Sequence, residues 1–176
     1  MQKFKKNFTI DYYSGLKGIY FKKILITIIR LGELDRPDIR ILDFGCGTGR
    51  LSELLPGKVI GYDINPKLSE IGDWRKALFD VVVSNQVFEY FTASELSSFL
   101  TELRLINPDV ELIVGTSRQR MLNAILAYLA GESDAHADAK LRPNEELELL
   151  KGHFEVQSRA NVFQLCDIYR MRSKAP

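Results

Sequence analysis

The sequence lacks the features that mark several protein classes. Its only two cysteines, Cys46 and Cys166, provide neither a disulfide framework nor the spacing of a metal site. Its most apolar stretch, residues 16–34, is interrupted by Lys17, Lys22, Lys23 and Arg30 and is too broken for a membrane span. The first ten residues carry three lysines and no apolar segment, so no secretory signal is predicted. These absences favour a cytoplasmic protein with no membrane span and no bound metal.

The sequence also has no marked excess of basic over acidic residues, or of acidic over basic ones. With 24 basic and 23 acidic residues the formal net charge is +1, so no global field attracts nucleic acid or an anionic membrane. A chain of 176 residues that is 45% hydrophobic suits one globular domain, here residues 1–176.

Strand-like and helix-like segments alternate along the chain. Helical periodicity covers residues 16–32, 93–105, 118–130 and 143–152. Short apolar runs typical of buried strands cover residues 39–44, 58–64, 79–85 and 110–117, and residues 153–171 alternate like a hairpin. The pattern predicts an α/β doubly wound, mostly parallel sheet with an antiparallel edge hairpin at its C-terminal end.

Three glycines at alternate positions, Gly45, Gly47 and Gly49, directly follow the first strand. A glycine-rich turn between a strand and a helix lets backbone N–H groups approach a ligand closely. The dinucleotide fingerprint G-x-G-x-x-G needs a third glycine where Arg50 stands, which disfavours a nicotinamide oxidoreductase. Asp63 ends the second strand, where a carboxylate can accept hydrogen bonds from both hydroxyls of a ribose.

Three motifs in this order resemble those of one enzyme family. The pattern D-x-G-x-G-x-G from Asp43 is similar to motif I of the class I S-adenosylmethionine-dependent methyltransferases, and "GYDINP" is similar to motif II. The segment "GDW…FDVVVSNQVFEYF", residues 72–91, resembles a stretch of the small-molecule, type 11-like branch. The resemblance is good over residues 39–117 and implies a Rossmann-like class I fold with S-adenosylmethionine as cofactor.

The resemblance also implies a cofactor site. Asp63 would hold the ribose, Asp73 would take the adenine amino group, and Trp74 would lie beside the ring. Ser84 to Gln86 would line the methionine end and the exit of the methyl group. The full set of cofactor-binding residues expected on this basis is Asp43, Gly45, Cys46, Gly47, Gly49, Asp63, Ile64, Asp73, Trp74, Ser84, Asn85 and Gln86.

The acceptor side is less well marked. The resemblance implies an N-terminal helical cap over residues 1–36 and a substrate-lid insertion over residues 118–142. Tyr13, Tyr90 and Ile125 are candidate substrate contacts, and His136 is a candidate general base because several relatives place a histidine there. The apolar stripe that contains Ile125 equally suits a core or dimer face. Tyr90 stands where many relatives carry a histidine, which removes one candidate proton acceptor.

One segment departs from the family pattern. Only fifteen residues separate Asp63 from Phe79, where relatives fit a helix, their third strand and another helix. A crossover alone needs about 10 to 12 residues. We therefore expect the third strand to be missing or vestigial, which leaves the order 2-1-4-5-7-6 in the family's strand numbering and an adenine side open to solvent.

The predicted function is methyl transfer from S-adenosylmethionine to a small-molecule acceptor by in-line displacement, catalysed mainly by proximity and orientation. No "DPPY" or "NPPY" stretch and no Pro-Cys pair occurs, so nucleic acid is disfavoured as the acceptor. The alternative is a catalytically inactive S-adenosylmethionine-binding module that serves in interaction or regulation. The protein is expected to be a monomer or a homodimer.

Overall fold

The computed structural model describes residues 15–117 and 139–174. The predicted substrate contacts Tyr13 and Ile125, the candidate base His136 and most of the predicted lid lie outside these residues. The predicted cap is represented by one helix, α1 (Gly15–Gly32), which begins close to the expected position.

Six strands form one sheet in the order β2-β1-β3-β4-β6-β5. The first four are parallel to one another, and β6 runs antiparallel to both β4 and β5. This confirms the predicted class, the missing third strand and the C-terminal edge hairpin. The strands are β1 (Ile41–Phe44), β2 (Val59–Tyr62), β3 (Val81–Asn85), β4 (Glu111–Ser117), β5 (Phe154–Val162) and β6 (Cys166–Ser173).

Within the described residues, three further α-helices lie between these strands: α2 (Arg50–Leu54), α3 (Ala93–Ile106) and α4 (Pro143–His153). A capping box fixes the start of α3, because the Thr92 hydroxyl accepts from the Glu95 N–H while the Glu95 carboxylate accepts from the Thr92 N–H. The last helix was expected to end at Gly152 but includes His153, and β5 follows without an intervening loop.

The core has two parts, one on each face of the sheet. Val82 of β3 packs on the side of α3 and α4, whereas its neighbours Val81 and Val83 pack on the side of α1. All three valines are essentially inaccessible to solvent. Burial on both faces explains why this strand is a continuous apolar run rather than an alternating one.

The segment between β2 and β3 contains no strand. Residues 64–80 make turns and one short 3₁₀ helix, Trp74–Lys76. The segment folds back against the sheet, where the Glu70 N–H donates to the Gly61 carbonyl at 2.9 Å. As a result β2 is the edge of the sheet, and the wall next to it is built from turns.

Candidate functional site

The glycine-rich loop after β1 has a backbone that only glycine adopts without strain. Gly45, Gly47 and Gly49 have φ angles of +81°, +50° and +76°. A Cβ on Gly45 would lie 2.3 Å from Cγ2 of Val87, whereas a Cβ on Gly47 would meet nothing within 4 Å. Gly45 therefore allows close internal packing, while Gly47 leaves open space on the outer side of the loop.

Asp63, directly after β2, ties this loop to the neighbouring strand. Its Oδ2 accepts from the Gly47 N–H at 2.9 Å, and its Oδ1 accepts from the Asn65 N–H at 2.9 Å. Each carboxylate oxygen has a further lone pair, so Asp63 can still accept hydrogen bonds from the two hydroxyls of a ribose. The next side chain, Ile64, is 93% exposed and offers an apolar surface beside it.

Asp43 of β1 is a second carboxylate at this end of the sheet, only 7% exposed. Burial, followed by the negative charges of Asp63 and Glu70, raises the pKa of Asp43 from 3.8 to about 7. Three acidic groups thus crowd the carboxyl ends of β1 and β2, and a positively charged ligand would relieve their repulsion.

Asn85 and Gln86 end β3 and carry polar atoms next to the loop. Oδ1 of Asn85 is buried without a hydrogen-bond partner among the described residues. Gln86 has a φ of +56°, a strained value for this residue type, and its N–H donates to the Gly115 carbonyl at 2.8 Å. An unsatisfied acceptor and a strained backbone at one point indicate a functional position.

A cleft of about 900 Å³ opens beside these strand ends and along the first half of α3. Its volume is within the range usual for small-molecule and cofactor sites. Seven of the residues expected from the sequence line it: Gly45, Asp63, Ile64, Trp74, Asn85, Gln86 and Tyr90.

Six other expected cofactor-binding residues do not line the cleft itself: Asp43, Cys46, Gly47, Gly49, Asp73 and Ser84, although Gly47 is tied to Asp63 of the cleft by a hydrogen bond. Ser84 is completely buried within the sheet, and the Cys46 thiol packs towards Gly61 and the Leu68 carbonyl. Asp73 borders a separate depression with Ile60 and Ile71. There its carboxylate accepts from the N–H and the guanidinium of Arg75, so the structure does not bring Asp73 to the cleft surface.

An aromatic cluster supports the floor of the cleft. Trp74, only 3% exposed, packs edge-on against Phe44 at 6.0 Å and against Phe99 at 5.0 Å between ring centroids. Phe44 and Phe99 are themselves 4.5 Å apart. Trp74 is thus both a core residue and part of the cleft wall.

Arg75, Glu102 and Lys140 line the cleft, and Tyr20 lies behind one of its lining residues, although the sequence indicated a site role for none of them. Arg75 and Glu102 form an ion pair across the cleft, from the 3₁₀ helix to α3, and Lys140 borders its outer rim. Tyr20 of α1 has its hydroxyl buried near the Gln86 side chain, and burial raises the pKa of that hydroxyl. Local sequence patterns could not predict a site role for these residues, because each is placed by contacts with segments distant in the sequence.

A second cleft, of about 650 Å³, lies at the opposite ends of the strands. Residues that precede β1 and β3 border it, including Arg40 and Asp80, which form an ion pair. Neither cleft contains a metal site: the described parts of the chain hold no group of three or more His, Cys, Asp or Glu side chains arranged to bind an ion. None of the helices in those parts is long and apolar enough to cross a membrane.

The arrangement at the carboxyl ends of the strands agrees with a comparison to known proteins. A family model described as "Methyltransferase domain" matches residues 17–167 of this chain. The chain belongs to the methyltransferase family. A ubiquinone biosynthesis O-methyltransferase from Rhizobium etli is 30% identical over 71% of this chain, which spans 63% of the length of that relative.

Solved methyltransferase structures share the fold. An N-methyltransferase from Bradyrhizobium japonicum superposes with a TM-score of 0.65 at 15% identity, over 89% of this chain and 98% of that chain. Magnesium protoporphyrin IX methyltransferase from Synechocystis, with bound S-adenosylhomocysteine, gives a TM-score of 0.61 at 18% identity, over 87% and 81%. The family match and these neighbours confirm the predicted class I methyltransferase fold and S-adenosylmethionine as the cofactor of the class.

Proposed function

We propose that this methyltransferase binds S-adenosylmethionine in the larger cleft and transfers its methyl group to a small-molecule acceptor. The observation that carries the proposal is the hydrogen bond between Gly47 and Asp63. The Gly47 N–H donates to the Asp63 carboxylate, which retains free lone pairs, and the space beside Gly47 is open. An added side chain on Gly47 would fill the space that a ligand needs there. This geometry suits a ribose bound at Asp63 and an amino-acid moiety bound along the loop.

The residues of the cleft fit the rest of this cofactor. Asn85 borders the cleft, and a change of its side-chain rotamer would bring the unpartnered Oδ1, now buried against Gly115, to an ammonium group. The exposed Ile64 side chain can pack against a purine. The acidic groups Asp43, Asp63 and Glu70 favour a ligand that carries positive charge. Asp73 is not assigned a contact, because it lines the separate depression and not this cleft.

The chemistry asks little more of the protein than position. A sulfonium supplies an activated methyl group, so its transfer to an acceptor in line with the S–C bond leaves a neutral thioether, and the acceptor releases any displaced proton to solvent. The cleft holds the reactants at contact distance, which can contribute about 7–11 kcal/mol. Gln86 and Tyr90, on the cleft wall beyond the loop, are the described residues that we assign to the acceptor side.

The acceptors to test first are suggested by one relative. The relative from Rhizobium etli is named an O-methyltransferase, so small molecules that carry a hydroxyl group come first. His136 and Ile125 remain proposed as base and lid contact, and the monomer or homodimer expected from the sequence remains a prediction.

Two measurements test the proposal. Titration calorimetry should detect S-adenosylhomocysteine binding and no NAD binding. A screen of small-molecule acceptors for release of S-adenosylhomocysteine should then find turnover. Binding of NAD alone would refute the cofactor assignment, whereas cofactor binding without turnover on any acceptor would favour the inactive binding module instead.

A further inference from the structure

Arg75 has an unusual environment on the side of the cleft where the family's third strand is absent. Its guanidinium lies over the indole ring of Trp74, 5.0 Å from the ring centroid. Glu102 of α3 accepts from Arg75 Nε and, at 2.9 Å, from Nη2, while Asp73 accepts from Nη1 at 3.3 Å. The guanidinium plane is therefore held on one face by an aromatic ring and along its edge by two carboxylates.

Half of the Arg75 side-chain surface is accessible, although the ring against which it packs is buried. The Arg75 side chain is 50% exposed, whereas Trp74 beneath it is 3% exposed. Arg75, Trp74 and Glu102 line the same cleft as Asp63 and Ile64. A ligand that has its ribose at Asp63 therefore has a planar, cationic surface within the same cleft.

A guanidinium stacks well on aromatic rings, and an aromatic heterocycle can stack on it in turn. We propose that the adenine ring of the cofactor stacks on the Arg75 guanidinium, which we call the platform. Glu102 is the positioning residue that fixes the orientation of this platform. The inference rests on the proposed function, and it assigns the adenine contact to Arg75 in place of Asp73. The turn with Trp74 and Arg75 thereby substitutes for the wall that the third strand and its helices would have supplied.

The platform makes two variants informative. Arg75→Lys keeps the charge but loses the planar surface, so it should weaken S-adenosylhomocysteine binding about tenfold, as expected for a stacked cation. Glu102→Gln keeps an acceptor but removes the charged pair, so it should weaken binding less. Arg104→Lys on the same helix is the matched control, because Arg104 bonds to Ser173 and the Lys174 carbonyl, away from the cleft.

Trp74 supplies a readout that a purely structural role of Arg75 would not change. It is the only tryptophan in the chain, so its fluorescence reports on this wall alone. Adenosine and S-adenosylhomocysteine should both alter the emission of the wild-type protein, and homocysteine, which has no adenine, should not. In Arg75→Lys the response to adenosine should be reduced, whereas Arg104→Lys should respond like the wild type.

The outcomes separate the platform from the proposed function. If the wild type binds S-adenosylhomocysteine and Arg75→Lys, at unchanged melting temperature, binds it equally well, the platform is wrong and the function stands. An equal loss for Arg75→Lys and Arg104→Lys also refutes the platform. A wild-type protein without affinity for adenosine or S-adenosylhomocysteine refutes both.

Discussion

Two clefts bordered by described residues lie at opposite ends of the same strands, one of about 900 Å³ at the carboxyl ends and one of about 650 Å³ at the amino ends. Their chemistry differs. At the amino ends the polar groups satisfy one another, as Arg40 does with Asp80 and as the Asn107 amide does with the Phe79 carbonyl. Asp38 there has a positive φ, but Asp adopts this conformation readily.

At the carboxyl ends, by contrast, the chain carries three left-handed glycines and a left-handed glutamine. Buried oxygen atoms of Ser84 and Asn85 have no hydrogen-bond partner among the described residues, and buried Asp43 has an anomalous pKa. Each of these features costs stability in the empty protein. The two clefts thus differ in unsatisfied polar groups and strained backbone, and these features support the carboxyl-end cleft as the proposed ligand site.

The largest effect on stability is expected from Gly45→Ala. The left-handed backbone costs an alanine about 1–2 kcal/mol, and the added Cβ would also lie 2.3 Å from Val87 Cγ2. Forcing such a group into a packed site costs about 1–3 kcal/mol more. Denaturant unfolding should therefore show a loss of several kcal/mol.

Gly47→Ala is the companion variant, because its Cβ meets no protein atom within 4 Å. It should lose only the backbone contribution of about 1–2 kcal/mol, yet weaken S-adenosylhomocysteine binding strongly. Unchanged S-adenosylhomocysteine affinity in Gly47→Ala would mean that the space beside Gly47 is not used by the ligand.

The next effect concerns the two aspartates assigned to the cofactor from the sequence. Asp63→Ala should weaken cofactor binding by about 10- to 100-fold, because a hydrogen bond to a charged group contributes about 1.5–3 kcal/mol. Asp73→Ala should change affinity far less, since Asp73 does not line the cleft. Calorimetric titration of both variants is the measurement. Similar losses of cofactor affinity would mean that Asp73 contacts the adenine after all.

A smaller effect is expected from the pH dependence of stability. The pKa of Asp43 is about 7 in the folded protein, against an ordinary value of 3.8 that we assign to the unfolded chain. Between these values the folded protein keeps a proton that the unfolded chain has released, so this group lowers stability progressively as pH rises from about 4 to about 7. Asp43→Asn removes this contribution.

The stability of Asp43→Asn relative to the wild type should therefore increase between about pH 4 and pH 7, as measured by urea unfolding at several pH values. Subtracting the pH profile of the wild type from that of the variant cancels, to first order, the contributions of all other titrating groups. A difference that stays constant with pH would show that Asp43 ionises normally in the folded state.

The smallest effect is expected at the amino-end cleft. Arg40→Ala removes an exposed ion pair with Asp80, and such pairs stabilise proteins little because water screens them. The melting temperature should change slightly and the affinity for S-adenosylhomocysteine not at all. A marked loss of cofactor affinity would contradict the assignment of the ligand to the other end of the strands.

Local patterns in the sequence predicted the parts of the fold that local physics determines. The apolar runs and the position of Pro143 located the strands and the last helix, and the short distance from Asp63 to Phe79 predicted the missing third strand correctly. Gly45 and Asp63 could be assigned because a motif has fixed spacing. The roles of Tyr13, Ile125 and His136 stay predictions.

The remaining wall of the cleft depends on contacts between distant segments. In the sequence Arg75 is indistinguishable from an ordinary exposed basic residue, and only the fold places Glu102 of α3 beside it. Asp73 satisfies a motif in the sequence, but its position at the start of a 3₁₀ helix directs its carboxylate to the next turn of its own backbone. Spacing alone does not distinguish a capping aspartate from a ligand contact.

The place of β1 in the middle of the parallel strands has a consequence for folding kinetics. Parallel strands pair only after the intervening crossover has closed, so such sheets form slowly and late. Gly45 contacts Val87 only when β1 and β3 are paired, and Asp63 reaches Gly47 only when β1 and β2 are paired. The proposed site therefore exists only when the parallel strands have paired, and a ligand bound there would draw the folding equilibrium towards the completed sheet. We expect cofactor supplied during synthesis to raise the yield of folded protein.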